Sequence, residues 1–161
     1  SEQALGWLPA KHCPLDQLFA ACDFVSLHCP ATPQTRHLIN WQTLSKMKPT
    51  AHLINTARGD VINEQDLIAA LQQGVIAGAG LDVYEAEPKL SEGLLDLPNV
   101  VLLPHMGSGT TETRVAMGEC ALANIKAFAE DRPLPNHQHA SLPQQKGSHP
   151  KGKYPETLQY L

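Results

Sequence analysis

The chain has 161 residues and a formal net charge of −4, from 12 Lys+Arg against 16 Asp+Glu. That length supports one domain with a sizeable core, and that charge gives no reason to expect nucleic acid or an anionic membrane as partner. No apolar run approaches the roughly 20 residues of a membrane span, and no signal-peptide pattern follows Ser1.

Four cysteines, Cys13, Cys22, Cys29 and Cys120, include no C-x-x-C pair. This disfavours a disulfide framework or a cysteine zinc site, and points to reduced thiols in a cytoplasmic protein. The missing initiator Met hints at a fragment or a processed product.

In chain order, a short strand around "KHC" is expected first, then a short helix over "LDQLFAA" (15–21). "CDFVSLH" (22–28) reads as a buried strand, and "AHLINTA" (51–57) as a second. Asn63 opens "NEQDLIAALQQG" with an N-cap side chain and early acids suited to the positive end of the helix dipole. Gly74 supplies the stop. "AGAGLDVY" (77–84) is a third strand, glycine-rich enough to imply close backbone packing, and "NVVLLPH" (99–105) is a fourth. A long helix follows Thr110 or Thr111, with Val115, Leu122, Ile125, Phe128 and Ala129 at near-helical spacing. After Asn136 the composition turns to Pro, Gln, His, Lys and Gly, so residues 137–161 are expected to be a disordered tail. A metal held by His137, His139 and His149 is disfavoured, because such tails are common without one. Strands alternating with helices predict a parallel α/β sheet.

Three predicted strands end in a charged or titratable residue: Arg58 after 51–57, Glu85 and Glu87 after "LDVY", and His105 after "VLLP". In parallel α/β sheets ligands bind outside the carboxyl ends of the strands, so these side chains are expected to gather on one edge. Taken singly, each is more simply a surface charge. Together they can do definite chemistry. A histidine titrates near neutral pH, and a carboxylate beside it favours its protonated form. An arginine adds a planar fork of donors for a carboxylate or keto oxygen. The set fits proton transfer to or from a hydroxyl on an anionic substrate. On these residues alone, either Glu85 or Glu87 can be the acid involved, and the task of Asp82 within the same strand is open.

The motifs "DFVSLHCPATPQTRHLIN", "MKPTAHLINTARGDVINEQDLIAAL", "AGAGLDVYEAEP" and "LPNVVLLPHMGSGT" resemble the nucleotide-binding domain of the D-isomer-specific 2-hydroxyacid dehydrogenases. The likeness runs from about residue 12 to 136 and leans toward the glyoxylate/hydroxypyruvate reductase branch. It implies a catalytic trio of Arg58, holding the substrate's carboxylate and carbonyl, His105 as acid–base, and Glu87 tuning His105. Glu85 matches a variable position and is expected to face solvent. Asp82 matches an acid placed against the nicotinamide end of the cofactor. Cys29, Pro30 and Thr35, then Thr56, Ala57 and Arg58, then His105, Gly107 and Ser108, match other cofactor contacts. The implied cofactor is NAD or NADP, the substrate a small 2-keto or 2-hydroxy acid, and the full-length protein a possible homodimer.

Departures from the pattern are equally specific. The 161 residues contain no G-x-G-x-x-G between a strand and a helix, no strand to distinguish NAD from NADP, and no separate substrate domain. "GVIAGAG" (74–80) precedes a strand and is no substitute. The expected fold is therefore a partial Rossmann-type doubly wound parallel sheet over 1–136, N-terminally truncated and lacking its first two strands. Their loss leaves an open apolar edge on the strand of 22–28. Two further readings stay open: a non-catalytic dinucleotide-sensing scaffold resembling transcriptional corepressors of this family, and a truncated inactive product.

Overall fold

The computed structural model describes residues 10–136. Expectations for the tail of 137–161, its three histidines included, lie outside these residues. The described chain forms two compact units that divide after Thr110.

In the first unit, four short strands make one parallel sheet in the order β1-β2-β3-β4. They are β1 (Phe24–Leu27), β2 (His52–Asn55), β3 (Gly78–Leu81) and β4 (Val100–Leu102). The register places Leu27, Asn55, Leu81 and Leu102 side by side, so all four carboxyl ends open on one edge. Helix α1 (Leu15–Ala21) precedes β1, α2 (Trp41–Leu44) lies between β1 and β2, and α3 (Glu64–Gln72) between β2 and β3, with α1 packing on α2 and α2 on α3.

Local chemistry explains the helix ends. Asn40 and Thr43 close a capping box on α2, and the Asn63 side chain accepts from the Asp66 N–H to cap α3. Gly74 follows α3 at φ 67, the left-handed stop the sequence predicts. The expected strand around "KHC" does not form: residues 10–14 have no regular structure. A strand needs a neighbour to take its backbone groups, and the segment has none among the described strands.

Phe19, Ile39, Leu44, Leu53, Ile62, Leu67 and Ile76, each at most 2% exposed, centre the core. They pack with Val25 and Leu27, the alternate residues of β1. The other residues of that strand behave differently. Phe24 is 70% exposed and Val101 of β4 is 63% exposed, so β1 is half-buried rather than the fully buried strand expected from "CDFVSLH". The apolar run indicated a strand with two covered faces, whereas this unit covers only one of them. On the open face the Phe24 ring stacks on His52 with centroids 5.4 Å apart. The outer edge of β1 has no partner among the described strands.

The second unit contains α4 (Thr111–Ala129), with Glu112 in its first turn and Lys126 in its last, signs that suit the helix dipole. Beyond it the chain folds back, and the Asn124 amide donates to Asn136 Oδ1 at 2.9 Å. Val115, Leu122, Ile125 and Phe128 of the predicted apolar stripe are exposed. Among the described residues, no helix is long and apolar enough to cross a membrane.

Candidate active site

Each strand hands over to a turn at its carboxyl end, and each turn is fixed by a polar group in or beside the strand. After β2 the fixing residue is Asn55, fully buried at the end of an apolar strand. Its amide donates to Arg58 O at 2.9 Å, and its Oδ1 accepts from the Ala57 N–H at 3.0 Å. Arg58 therefore leaves a rigid turn with its guanidinium exposed, donating to Ala57 O at 2.6 Å. Gly59 follows, pressed against the next strand's turn so closely that a Cβ there would lie 1.9 Å from Tyr84 C and O. Only glycine permits that approach, which locks the Arg58 turn to the segment carrying Glu87.

After β3 the three acids divide. Asp82 is 5% exposed, and its Oδ1 and Oδ2 accept from the N–H groups of Met106 and Gly107 at 2.8 and 2.9 Å. It thus anchors the loop that carries His105, whose φ of 51 is left-handed. Glu85 does not face solvent as expected. It is half-buried, its Oε1 hydrogen-bonds His37 Nε2 at 2.6 Å, and Arg36 stands 3.8 Å away. A variable-looking position between two other acids carried no signal for a histidine 48 residues upstream. Glu87 is placed beside His105: Oε1 accepts from the Tyr84 N–H at 2.8 Å and Oε2 pairs with His105 Nδ1 at 2.7 Å. The His105 hydrogen bond, then the Tyr84 N–H, hold the Glu87 carboxyl below its ordinary 4.5. Tyr84 is buried, which raises its hydroxyl above 10.0 although that hydroxyl donates to Leu103 O at 2.6 Å.

Arg58, Glu87 and His105 line one cavity of about 610 Å³, together with Arg36, Tyr84 and Glu85. The trio is thus brought to one edge of the sheet. His105 Nδ1 faces Glu87, which as a carboxylate holds the proton there and leaves Nε2 for a ligand. An apolar cavity of about 570 Å³, lined by Leu90, Leu102, Leu103 and Pro104, shares Tyr84, Glu87 and His105 with it.

A third cavity, of about 580 Å³, opens between the ends of β1 and β2. Cys29, Pro30, Thr56, Ala57 and Arg58 line it with His28 and Ala31, so five of the predicted cofactor contacts meet there. Small side chains and exposed turn backbone suit a flat polar ring. The described residues hold no glycine-rich turn into a helix for a pyrophosphate, so the fit is to one end of a dinucleotide. Thr35 lines none of these three cavities; its hydroxyl donates to Pro30 O at 2.6 Å and shapes the loop from within. Asp82 and Gly107 likewise form the loop's anchor, with Ser108 just beyond it.

Sequence reasoning missed Asn55, Gly59 and Glu64. Asn55 had a legible signal, a polar residue closing the apolar run "HLIN". Glu64 was read only as an acid in the first turn of a helix, yet it is 2% exposed.

Residues 3–107 match the family described as D-isomer specific 2-hydroxyacid dehydrogenase, NAD binding domain. The chain is 53% identical over 119 residues to glyoxylate/hydroxypyruvate reductase B of Pectobacterium carotovorum, covering 73% of itself and 37% of that protein. Among solved structures it resembles an NADPH-dependent glyoxylate/hydroxypyruvate reductase from Sinorhizobium meliloti in complex with NADP and malonate. There the TM-score is 0.74 at 42% identity, over 77% of this chain and 39% of that one. An NAD complex of a D-isomer specific 2-hydroxyacid dehydrogenase from Lactobacillus delbrueckii ssp. bulgaricus gives a TM-score of 0.66 at 34% identity, over 73% and 40%. The chain therefore spans well under half the length of these relatives.

Proposed function

The chain belongs to the D-isomer-specific 2-hydroxyacid dehydrogenases as a portion of their NAD-binding domain, and from that premise we propose the reaction of its full-length protein. That protein reduces a small 2-keto acid of the glyoxylate or hydroxypyruvate kind with NADH or NADPH. The observation that carries this reading is the Glu87–His105 pair, 2.7 Å apart, in one cavity with Arg58. The reductases and dehydrogenases it resembles favour catalysis over the scaffold reading. A cytoplasmic location and a homodimer are part of the same proposal.

In the reaction, Arg58 receives the substrate carboxylate and the keto oxygen on its fork of donors. A nicotinamide cofactor held by the turns of Cys29, Pro30, Thr56 and Ala57 would supply the hydride for the keto carbon. His105 gives the proton on Nε2 to the keto oxygen, and the product is the 2-hydroxy acid. Glu87, fixed by the Tyr84 N–H, keeps the imidazole oriented through Nδ1 and stabilises its charged form beforehand. In the reverse direction the same Nε2 takes the hydroxyl proton.

The test is oxidation of NADH or NADPH by the full-length protein over glyoxylate, hydroxypyruvate and pyruvate; no turnover with any of them rejects the proposal. The 161-residue chain by itself is expected to turn over none, because it carries no phosphate-binding glycine turn. Its β1 edge, unpaired among the described strands, is also expected to make it aggregation-prone. In the full-length protein, Arg58→Lys raises KM for the keto acid by roughly 10–100-fold, since a point charge replaces a bidentate fork worth about 1.5–3 kcal/mol. An unchanged KM assigns the carboxylate to another cation.

A further inference from the structure

One buried carboxyl has no part in the reaction above. Glu64, the first residue of α3, is 2% exposed. Its Oε1 accepts from the Glu85 N–H at 2.6 Å, and its Oε2 accepts from the Ser91 hydroxyl. One side chain on a core helix thus grips residues 85 and 91. Between those points the chain makes a single tight turn, in which the Lys89 N–H donates to Ala86 O at 2.9 Å, and Glu87 stands on that turn. The Glu85 side chain adds a brace to His37.

Burying a carboxyl is costly unless its oxygens are hydrogen-bonded, and removing it would leave the Glu85 N–H and the Ser91 hydroxyl without their acceptor. A methyl in its place would fill the site more simply if packing alone were required. The Glu87 carboxyl, by contrast, is about one-third exposed and reaches His105 from a surface turn. Its aim therefore depends on how firmly the two ends of that turn are held.

We infer that Glu64 is a positioning residue: it closes residues 85–91 into a fixed loop and so sets the Glu87 carboxylate on His105. The inference deepens the reaction proposed above and rests on it for its consequence in turnover. Its geometric part stands separately.

The experiment uses the full-length protein labelled with ¹³C-glutamate, following the Glu87 carboxyl resonance against pH alongside kcat and KM. In the wild type the hydrogen bonds from His105 and the Tyr84 N–H are expected to hold the Glu87 midpoint below 4.5. Glu64→Ala moves it upward toward 4.5. The same variant lowers kcat by roughly 10–100-fold, the scale of a misplacement near 1 Å, and leaves KM within a few-fold. Glu64→Gln keeps an acceptor for the Glu85 N–H and restores both values. Ser91→Ala removes one grip at a partly exposed position and gives an intermediate shift, so it carries the test if Glu64→Ala does not fold. Ala70→Gly loosens α3 without touching the grip and is expected to leave the Glu87 midpoint in place. A wild-type midpoint with wild-type kcat in Ser91→Ala, and in Glu64→Ala where it folds, overturns the inference, as does an equal shift in Ala70→Gly. If the midpoint moves as expected but the protein reduces no keto acid, the positioning role stands and the proposed reaction fails.

Discussion

His105→Asn in the full-length protein is expected to lower kcat by about 10²–10⁴-fold, the usual contribution of a positioned general acid, with KM for the keto acid within a few-fold. Asparagine is the informative replacement. His105 sits at φ 51, where asparagine is tolerated far better than alanine, so the loop keeps its shape while the proton donor is lost. The backbone just after His105 stays anchored, because the Met106 and Gly107 N–H groups still reach Asp82. Steady-state kinetics at saturating cofactor decide the matter: a kcat within a few-fold of wild type removes His105 from the proton transfer. A fall confined to KM would instead make it a binding group.

Gly59→Ala is the substitution with the largest structural effect. Its Cβ would lie 1.9 Å from the carbonyl of Tyr84 and 2.4 Å from Glu85 N, all backbone atoms that cannot swing aside. Relief requires the Arg58 turn and the Glu87 segment to separate, which costs about 3 kcal/mol or more at the upper end of overpacking effects. The denaturation midpoint of the full-length protein should fall accordingly, and any folded fraction should lose activity because Arg58 and Glu87 part company. Gly118→Ala is the control of opposite sign. It lies inside α4 with nothing within 4 Å of the added Cβ, so it is expected to stabilise the helix by about 0.5–1 kcal/mol. Equal midpoints for the two variants would show that the close approach at Gly59 is not maintained in solution.

These two residues differ in how far the sequence exposes them. His105 announces itself, because a titratable residue at the end of "NVVLLPH" falls at the ligand-binding edge of any parallel sheet. Gly59 in "NTARGDV" reads as an ordinary turn glycine, since its reason for being glycine lies 25 residues away on another strand's turn.

The sequence by itself determined the alternation of strands and helices, the Asn63 cap and Gly74 stop, and the assembly of Arg58, Glu87 and His105 on one edge. All of these follow from short-range rules: apolar runs make strands, capping side chains end helices, and parallel strands align their carboxyl ends. The family resemblance singled out Glu87, but only tertiary structure decided what each acid touches. Asp82, Glu85 and Glu87 look alike in "LDVYEAEP", and burial plus distant partners separate them: Met106 and Gly107 for Asp82, His37 for Glu85, His105 for Glu87. Tertiary structure also turned the buried strand of 22–28 into a half-exposed edge, because the covering of a strand's second face depends on neighbours that its own residues do not specify. Glu64 belongs to the same class. An acid in a helix's first turn is a local preference, and its grip on residues 85 and 91 exists only once β3 is in register beside β2.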